Sequence, residues 1–167
     1  GDNLVKYYKN GTEFYAKFVK GNGEALANRN VTFNINGVFY TRETDSNGIA
    51  KLNINLRPGN YILTATDPET GLDIGFGITV LPTIIAKNLT KTYLNASQFN
   101  ARFVKGNGDS LANVNVTFNI NGVFYTRQTN NDGLATLNIN LIPGKYIVTA
   151  IEPVTGLDMG YGVTVLK

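Results

Sequence analysis

Apolar and polar residues alternate along most of this chain. In Val31-Thr32-Phe33-Asn34-Ile35-Asn36 every second place is apolar. Ala50, Leu52, Ile54 and Leu56 are separated by Lys51, Asn53 and Asn55. Tyr61, Leu63 and Ala65 keep the same step, as do Ile74, Phe76, Ile78 and Val80, and Phe14, Ala16 and Phe18 form an early apolar set. A period of two puts successive side chains on opposite faces of an extended strand. One dry and one wet face is what antiparallel sheets packed face to face require. No ten-residue window carries the helical period, so the predicted fold is all-β.

The breaks between runs carry turn chemistry. Asn36-Gly37 sits between two β-rich runs, where a two-residue hairpin needs positive φ at both positions. Lys20-Gly21-Asn22-Gly23, Asp45-Ser46-Asn47-Gly48, Arg57-Pro58-Gly59 and Asp67-Pro68-Glu69-Thr70-Gly71 mark further reversals. Between them lie about seven strands, at the spacing of a β-sandwich.

The pattern occurs twice. A shift of 85 positions aligns Asn3–Leu81 with Asn88–Leu166, with 53 identities in 79 ungapped pairs. The longest shared block is NVTFNINGVFYTR, residues Asn30–Arg42 and Asn115–Arg127. A period of this length fits a whole small domain rather than a solenoid unit. Two domains are therefore expected, 1–83 and 84–167. The join near Leu81-Pro82-Thr83-Ile84-Ile85 contains proline and no Gly/Ser run, which predicts a semi-rigid linker. Each copy places about four aromatic and a dozen aliphatic side chains on its inward phase. At roughly 1.5–3 kcal/mol per large side chain, that core can hold a domain of this size without metal or disulfide.

Composition narrows the chemistry. The chain has 167 residues, with neither Cys, His nor Trp. It therefore lacks a thiolate nucleophile, the commonest neutral-pH base and the commonest zinc ligand. No catalytic role, cofactor or metal is expected. The three serines, Ser46, Ser97 and Ser110, have no serine counterpart in the other copy. Net charge is +3, from 15 Lys+Arg against 12 Asp+Glu, without a basic run. Nucleic-acid binding needs clustered Lys/Arg, so no such partner is expected. No apolar stretch approaches the roughly 20 residues of a membrane span. The chain reads as an excised, monomeric piece of a longer protein.

The repeated NVTFNINGVFYTR block, followed by the Asn47-Gly48 turn and Pro58-Gly59-Asn60-Tyr61, resembles the tandem immunoglobulin-like repeats of adhesin-like surface proteins of methanogenic archaea. More broadly it is similar to bacterial Ig-like, Cna-B-like and transthyretin-like sandwich modules. The resemblance covers essentially the whole chain. It implies two tandem Ig-like β-sandwiches at the cell surface, outside the cell, in a display or adhesion role. The partners it implies are further copies of the repeat, or a glycan or protein on another cell.

The same resemblance raises an internal Lys–Asn or Lys–Asp isopeptide, as in several Ig-like pilus and adhesin modules. Such a bond needs a buried, uncharged lysine beside a proton-shuttling acid. Lys17 stands where a reactive lysine would lie, but its partner Arg102 cannot form that amide. Lys6 and Lys91 are present in both copies. Asp73 and Asp158 are the only acids of identical type in both. A Lys6–Asp73 and Lys91–Asp158 contact, covalent or a surface ion pair, is the candidate cross-link.

Two other candidate sites stand on residue type. The hairpins Val31–Thr44 and Val116–Thr129 offer Tyr40, Arg42, Tyr125 and Arg127, types that recognise proteins and glycans well. The turns Asp45–Gly48 and Asn130–Gly133 each bring one carboxylate, fewer than calcium takes, so they read as plain turns. Five N-x-S/T triplets begin at Asn10, Asn30, Asn88, Asn95 and Asn115.

Overall fold

A computed structural model describes residues Gly1–Lys167. The chain is built of strands and turns and divides into two compact units, Gly1–Leu81 and Pro82–Lys167. The division falls two residues before the expected boundary. Thr83 goes with the second unit because its carbonyl accepts the Val104 amide at 2.9 Å.

The first unit holds β1 (Leu4–Tyr7), β2 (Glu13–Lys17), β3 (Asn30–Ile35), β4 (Val38–Glu43), β5 (Ile49–Asn53), β6 (Gly59–Thr66) and β7 (Asp73–Leu81). One sheet has the order β1-β7-β6-β3-β4, and β2 pairs with β5 in the other. The second unit holds β8 (Ile84–Ala86), β9 (Leu89–Thr92), β10 (Gln98–Phe103), β11 (Asn115–Ile120), β12 (Val123–Gln128), β13 (Leu134–Asn138), β14 (Gly144–Ile151) and β15 (Asp158–Leu166). Its sheets are β12-β11-β14-β15-β9 and β13-β10-β8. Two facing sheets, one built on a central hairpin and the other gathering the strands skipped by it, make an immunoglobulin-type sandwich. The chain is thus a tandem pair of Ig-like β-sandwiches, seven strands in the first and eight in the second.

The inward phase forms the core. Phe14, Phe18, Leu26, Phe33, Leu52, Leu63 and Ile78 are buried together in the first unit. Phe14 meets Phe33 edge-on, with centroids 5.8 Å apart, and Phe99 meets Phe118 likewise at 5.9 Å. That geometry opposes a positive ring edge to a negative face. Both hairpins adopt the expected turn, with positive φ at Asn36-Gly37 and Asn121-Gly122. At Gly48, φ is +79° and an added Cβ would stand 2.5 Å from the Phe18 carbonyl oxygen, so only glycine fits.

A threonine ties each sandwich edge. Thr44 is buried, and its hydroxyl donates to the Leu26 carbonyl at 2.5 Å and accepts the Arg29 amide at 3.0 Å. Thr129 repeats this with Leu111 and Val114. A hydroxyl that both donates and accepts satisfies two backbone groups in the interior.

Candidate binding clefts

Strand β4 is an edge strand, opposite β3 alone, in the register Phe33↔Tyr40 and Val31↔Arg42. Tyr40 and Arg42 therefore share the inward phase. At the sheet edge Tyr40 is half-buried and leans on the core, while Arg42 is exposed. The Arg42 guanidinium lies 5.6 Å from the Tyr40 ring centroid, and its Nη1 donates to the Thr41 carbonyl at 2.8 Å. Stacking on the ring holds an otherwise mobile side chain in place.

Across from this pair lie Asn53, Ile54, Asn55 and Leu56, and together they enclose a cleft of about 300 Å³. An aromatic ring, a guanidinium and two amides offer an apolar platform with donors and acceptors of both kinds. In the second unit Arg127 sits over Tyr125 at 5.6 Å and donates to the Thr126 carbonyl. Asn138 and Asn140 occupy the equivalent places in sequence, with Asn138 accepting the Gln98 amide at 2.7 Å. The tyrosines and arginines stand out in the sequence by residue type, whereas Asn53 and Asn55 lie on the polar phase of an alternating run and carry no such signal.

On the outer face of the same sheet, Phe39 lies opposite Asn34 and is 70% exposed, and Phe124 is 65% exposed. These aromatics flank threonine rows rather than the cleft.

The lysine–aspartate pairs are not brought together. Lys6 stands opposite Val80 in the parallel β1–β7 ladder, whereas Asp73 begins β7 and stands opposite Thr66. Seven residues of strand, roughly 23 Å, separate the two levels. The Asp73 carboxylate accepts the Thr66 hydroxyl at 2.7 Å. Lys6 is buried rather than at the surface. Its ammonium donates to the carbonyls of Thr12 at 3.1 Å and Ile54 at 2.8 Å. Loss of water pushes its pKa below the usual lysine value. The Lys91 ammonium likewise donates to the carbonyls of Ser97 at 3.1 Å and Ile139 at 2.8 Å, while Asp158 lies opposite Ile151. Each lysine is a tie between the start of a sandwich and the carbonyls of two loops, and neither a cross-link nor an ion pair with Asp73 or Asp158 forms.

The Asp45 carboxylate is likewise occupied. It accepts the amides of Ile49 at 3.0 Å and Asn47 at 2.8 Å, which hold its pKa below the ordinary value. Arg29 and Glu69 form an ion pair at 2.9 Å on the surface. No helix is long and apolar enough to cross a membrane.

No protein-family model and no curated protein sequence matches the chain. Among solved structures it is similar to invasin, a bacterial integrin-binding protein, at 21% identity and a TM-score of 0.43. That match covers 99% of this chain and 38% of invasin, so the chain spans well under half of that protein. A tandem pair of titin Ig domains is similar at 12% identity and a TM-score of 0.34, covering 98% and 92% of the two chains. A 1.5-MDa bacterial ice-binding adhesin is similar at 14% identity and a TM-score of 0.30, with 99% and 65% covered. Integrin and ice belong to those proteins.

Proposed function

We propose that this chain is a non-catalytic stalk segment of an adhesin-like protein, outside the cell at its surface, of the archaeal type its repeats resemble. It spaces a binding region from the cell, and its neighbours are further copies of the repeat. One observation carries the reading. The opening strand of each 85-residue repeat runs parallel to, and bonded with, the last strand of its unit: β1 with β7, and β9, which follows the short β8, with β15. Tension applied at the two ends of a unit pulls these neighbours in opposite directions along their length. The ladder is then loaded in shear, and its bonds must fail together rather than one at a time. A segment built to carry tension needs that geometry at its ends.

Single-molecule stretching of the whole chain tests this. Two rupture events are expected, each releasing roughly 250 Å of chain, the extended length of a unit less its folded length. The Tyr93 amide donates to the Leu166 carbonyl at 2.7 Å, as the Tyr8 amide does to Leu81. Tyr93→Pro removes that donor, and Tyr93→Phe keeps it. The proline variant should lower one rupture force and leave the other unchanged. Equal forces in all three chains would remove the shear mechanism.

The Tyr40–Arg42 cleft, with its Asn53 and Asn55 wall, favours a second reading in which the repeats themselves adhere to a surface glycan or protein. Two copies would then raise apparent affinity about 10²–10⁴-fold through avidity. A glycan array probed with the chain and with Arg42→Ala/Arg127→Ala separates the readings. Binding lost in the double variant supports adhesion, and no binding by either leaves the stalk.

A further inference from the structure

The two units share their core sequence yet differ at one edge. In the second unit β8 lies on the free edge of β10, with Ala86 opposite Ala101 and Ile84 opposite Phe103. Just before β8, Thr83 is buried, and its hydroxyl meets that of Thr155 at 3.3 Å. Beneath this segment Val104 is 1% and Leu157 0% exposed.

In the first unit no strand pairs with that edge of β2, and only Gly1 reaches it. Val19, the counterpart of Val104, is 44% exposed, and Leu72, the counterpart of Leu157, is 56% exposed. With Ile74 and Phe76 they line an open groove that ends at Gly1. Gly1 lies beside Ala16, as Ala86 lies beside Ala101. The receiving loop is already formed. Thr70 accepts the Leu72 amide at 3.2 Å, as Thr155 accepts that of Leu157 at 3.3 Å. Val19 and Val104 make equivalent bridges, to Ala25 and Ser110, but only the Val104 amide donates to a carbonyl of the preceding linker, that of Thr83. A bare strand edge beside exposed apolar side chains is a template for one more strand.

We propose that this groove is a docking site for an extended strand of Pro82–Ala86 chemistry, joined directly to Gly1 and running antiparallel to β2. A threonine would reach the Thr70 hydroxyl, and the apolar residue after it would cover Val19 and Leu72. The strand that completes each sandwich is then encoded in the linker before it, so the structural module is offset from the 85-residue sequence repeat. The groove is there whether or not the units carry tension.

The test compares three full-length chains by amide exchange: the chain itself, one with Leu-Pro-Thr-Ile-Ile joined to Gly1, and one with Leu-Pro-Asp-Asp-Ile. The Thr-Ile extension should slow exchange at Val19 on the order of 100-fold, as expected when an exposed amide joins a ladder. It should also shift the methyl resonances of Leu72 and Ile74, with Val104 unchanged. The Asp-Asp extension should do neither. Unchanged exchange at Val19 in the Thr-Ile chain, or equal protection by Asp-Asp, would overturn the proposal. Protection of Val19 in the unextended chain that grows with concentration would also overturn it, since another molecule's strand would then fill the groove.

Discussion

Replacing Thr44 with valine changes one hydroxyl to a methyl at constant shape, so it isolates the tie at the sandwich edge. The hydroxyl serves two backbone groups, the Leu26 carbonyl at 2.5 Å and the Arg29 amide at 3.0 Å. Leaving a buried polar group without its partner costs about 1–3 kcal/mol. The added methyl returns up to ~0.8 kcal/mol of apolar burial. A net loss of about 2 kcal/mol is expected in the first unit alone. With a urea m-value of ~1–2 kcal/mol/M for a domain of this size, the midpoint should fall by roughly 1–2 M. Urea unfolding of the full chain, followed by resolved amide signals from each unit, reads both transitions. The signals of the second unit should keep their midpoint, and Thr129→Val should reverse the pattern. An unchanged midpoint in Thr44→Val would refute the assigned role. A shift shared by both units would refute their independence.

Three further outcomes follow from single residues. Gly48→Ala combines a φ of +79° with a Cβ 2.5 Å from the Phe18 carbonyl. It should cost at least about 2 kcal/mol, read as a lower urea midpoint of the first unit. Asp45 has a native pKa held below 3.8 by the Ile49 and Asn47 amides, so its contribution is present above that value and lost as pH falls through the native one. Asp45→Asn keeps both bonds, as Asn130 does with Asp132 and Leu134. The acid-induced drop in the first unit's urea midpoint should therefore shrink in the variant, and an equal drop would contradict this. Lys6 has a native pKa below 10.5 through desolvation, so the first unit should gain stability as pH rises from that native pKa toward 10.5. An NMR titration of its Cε protons placing the midpoint at or above 10.5 would contradict the burial.

The sandwiches were legible because their alternation is nearly unbroken and their turns need residues that only a few side chains can supply. Asn36-Gly37 announces its hairpin by chemistry alone, since both residues must take positive φ. Lys6 was harder. It shares the inward phase of a strand of only four residues, and a lysine there reads as solvated until the carbonyls of Thr12 and Ile54 are seen to close over it. Pairing it with Asp73 assumed that neighbouring strands meet at the same level, and the parallel register sets Lys6 at the far end of β7. The cleft was half legible, because Tyr40 and Arg42 stand out by type whereas Asn53 and Asn55 look like an ordinary wet face. The groove beside β2 could not be read from the repeat. Leu72 and Leu157 are identical within it, and their burial is decided by Pro82–Ala86, outside the aligned block.

Independent closure of each sandwich is most directly tested by recording amide spectra of Gly1–Leu81 and Pro82–Lys167 as separate proteins beside that of the whole chain. Both are expected to be dispersed and to overlay on the full-length spectrum except near the junction, with the first unit unfolding at lower urea than the second. A collapsed spectrum for Pro82–Lys167 alone, whose core and edges are complete, would contradict the account.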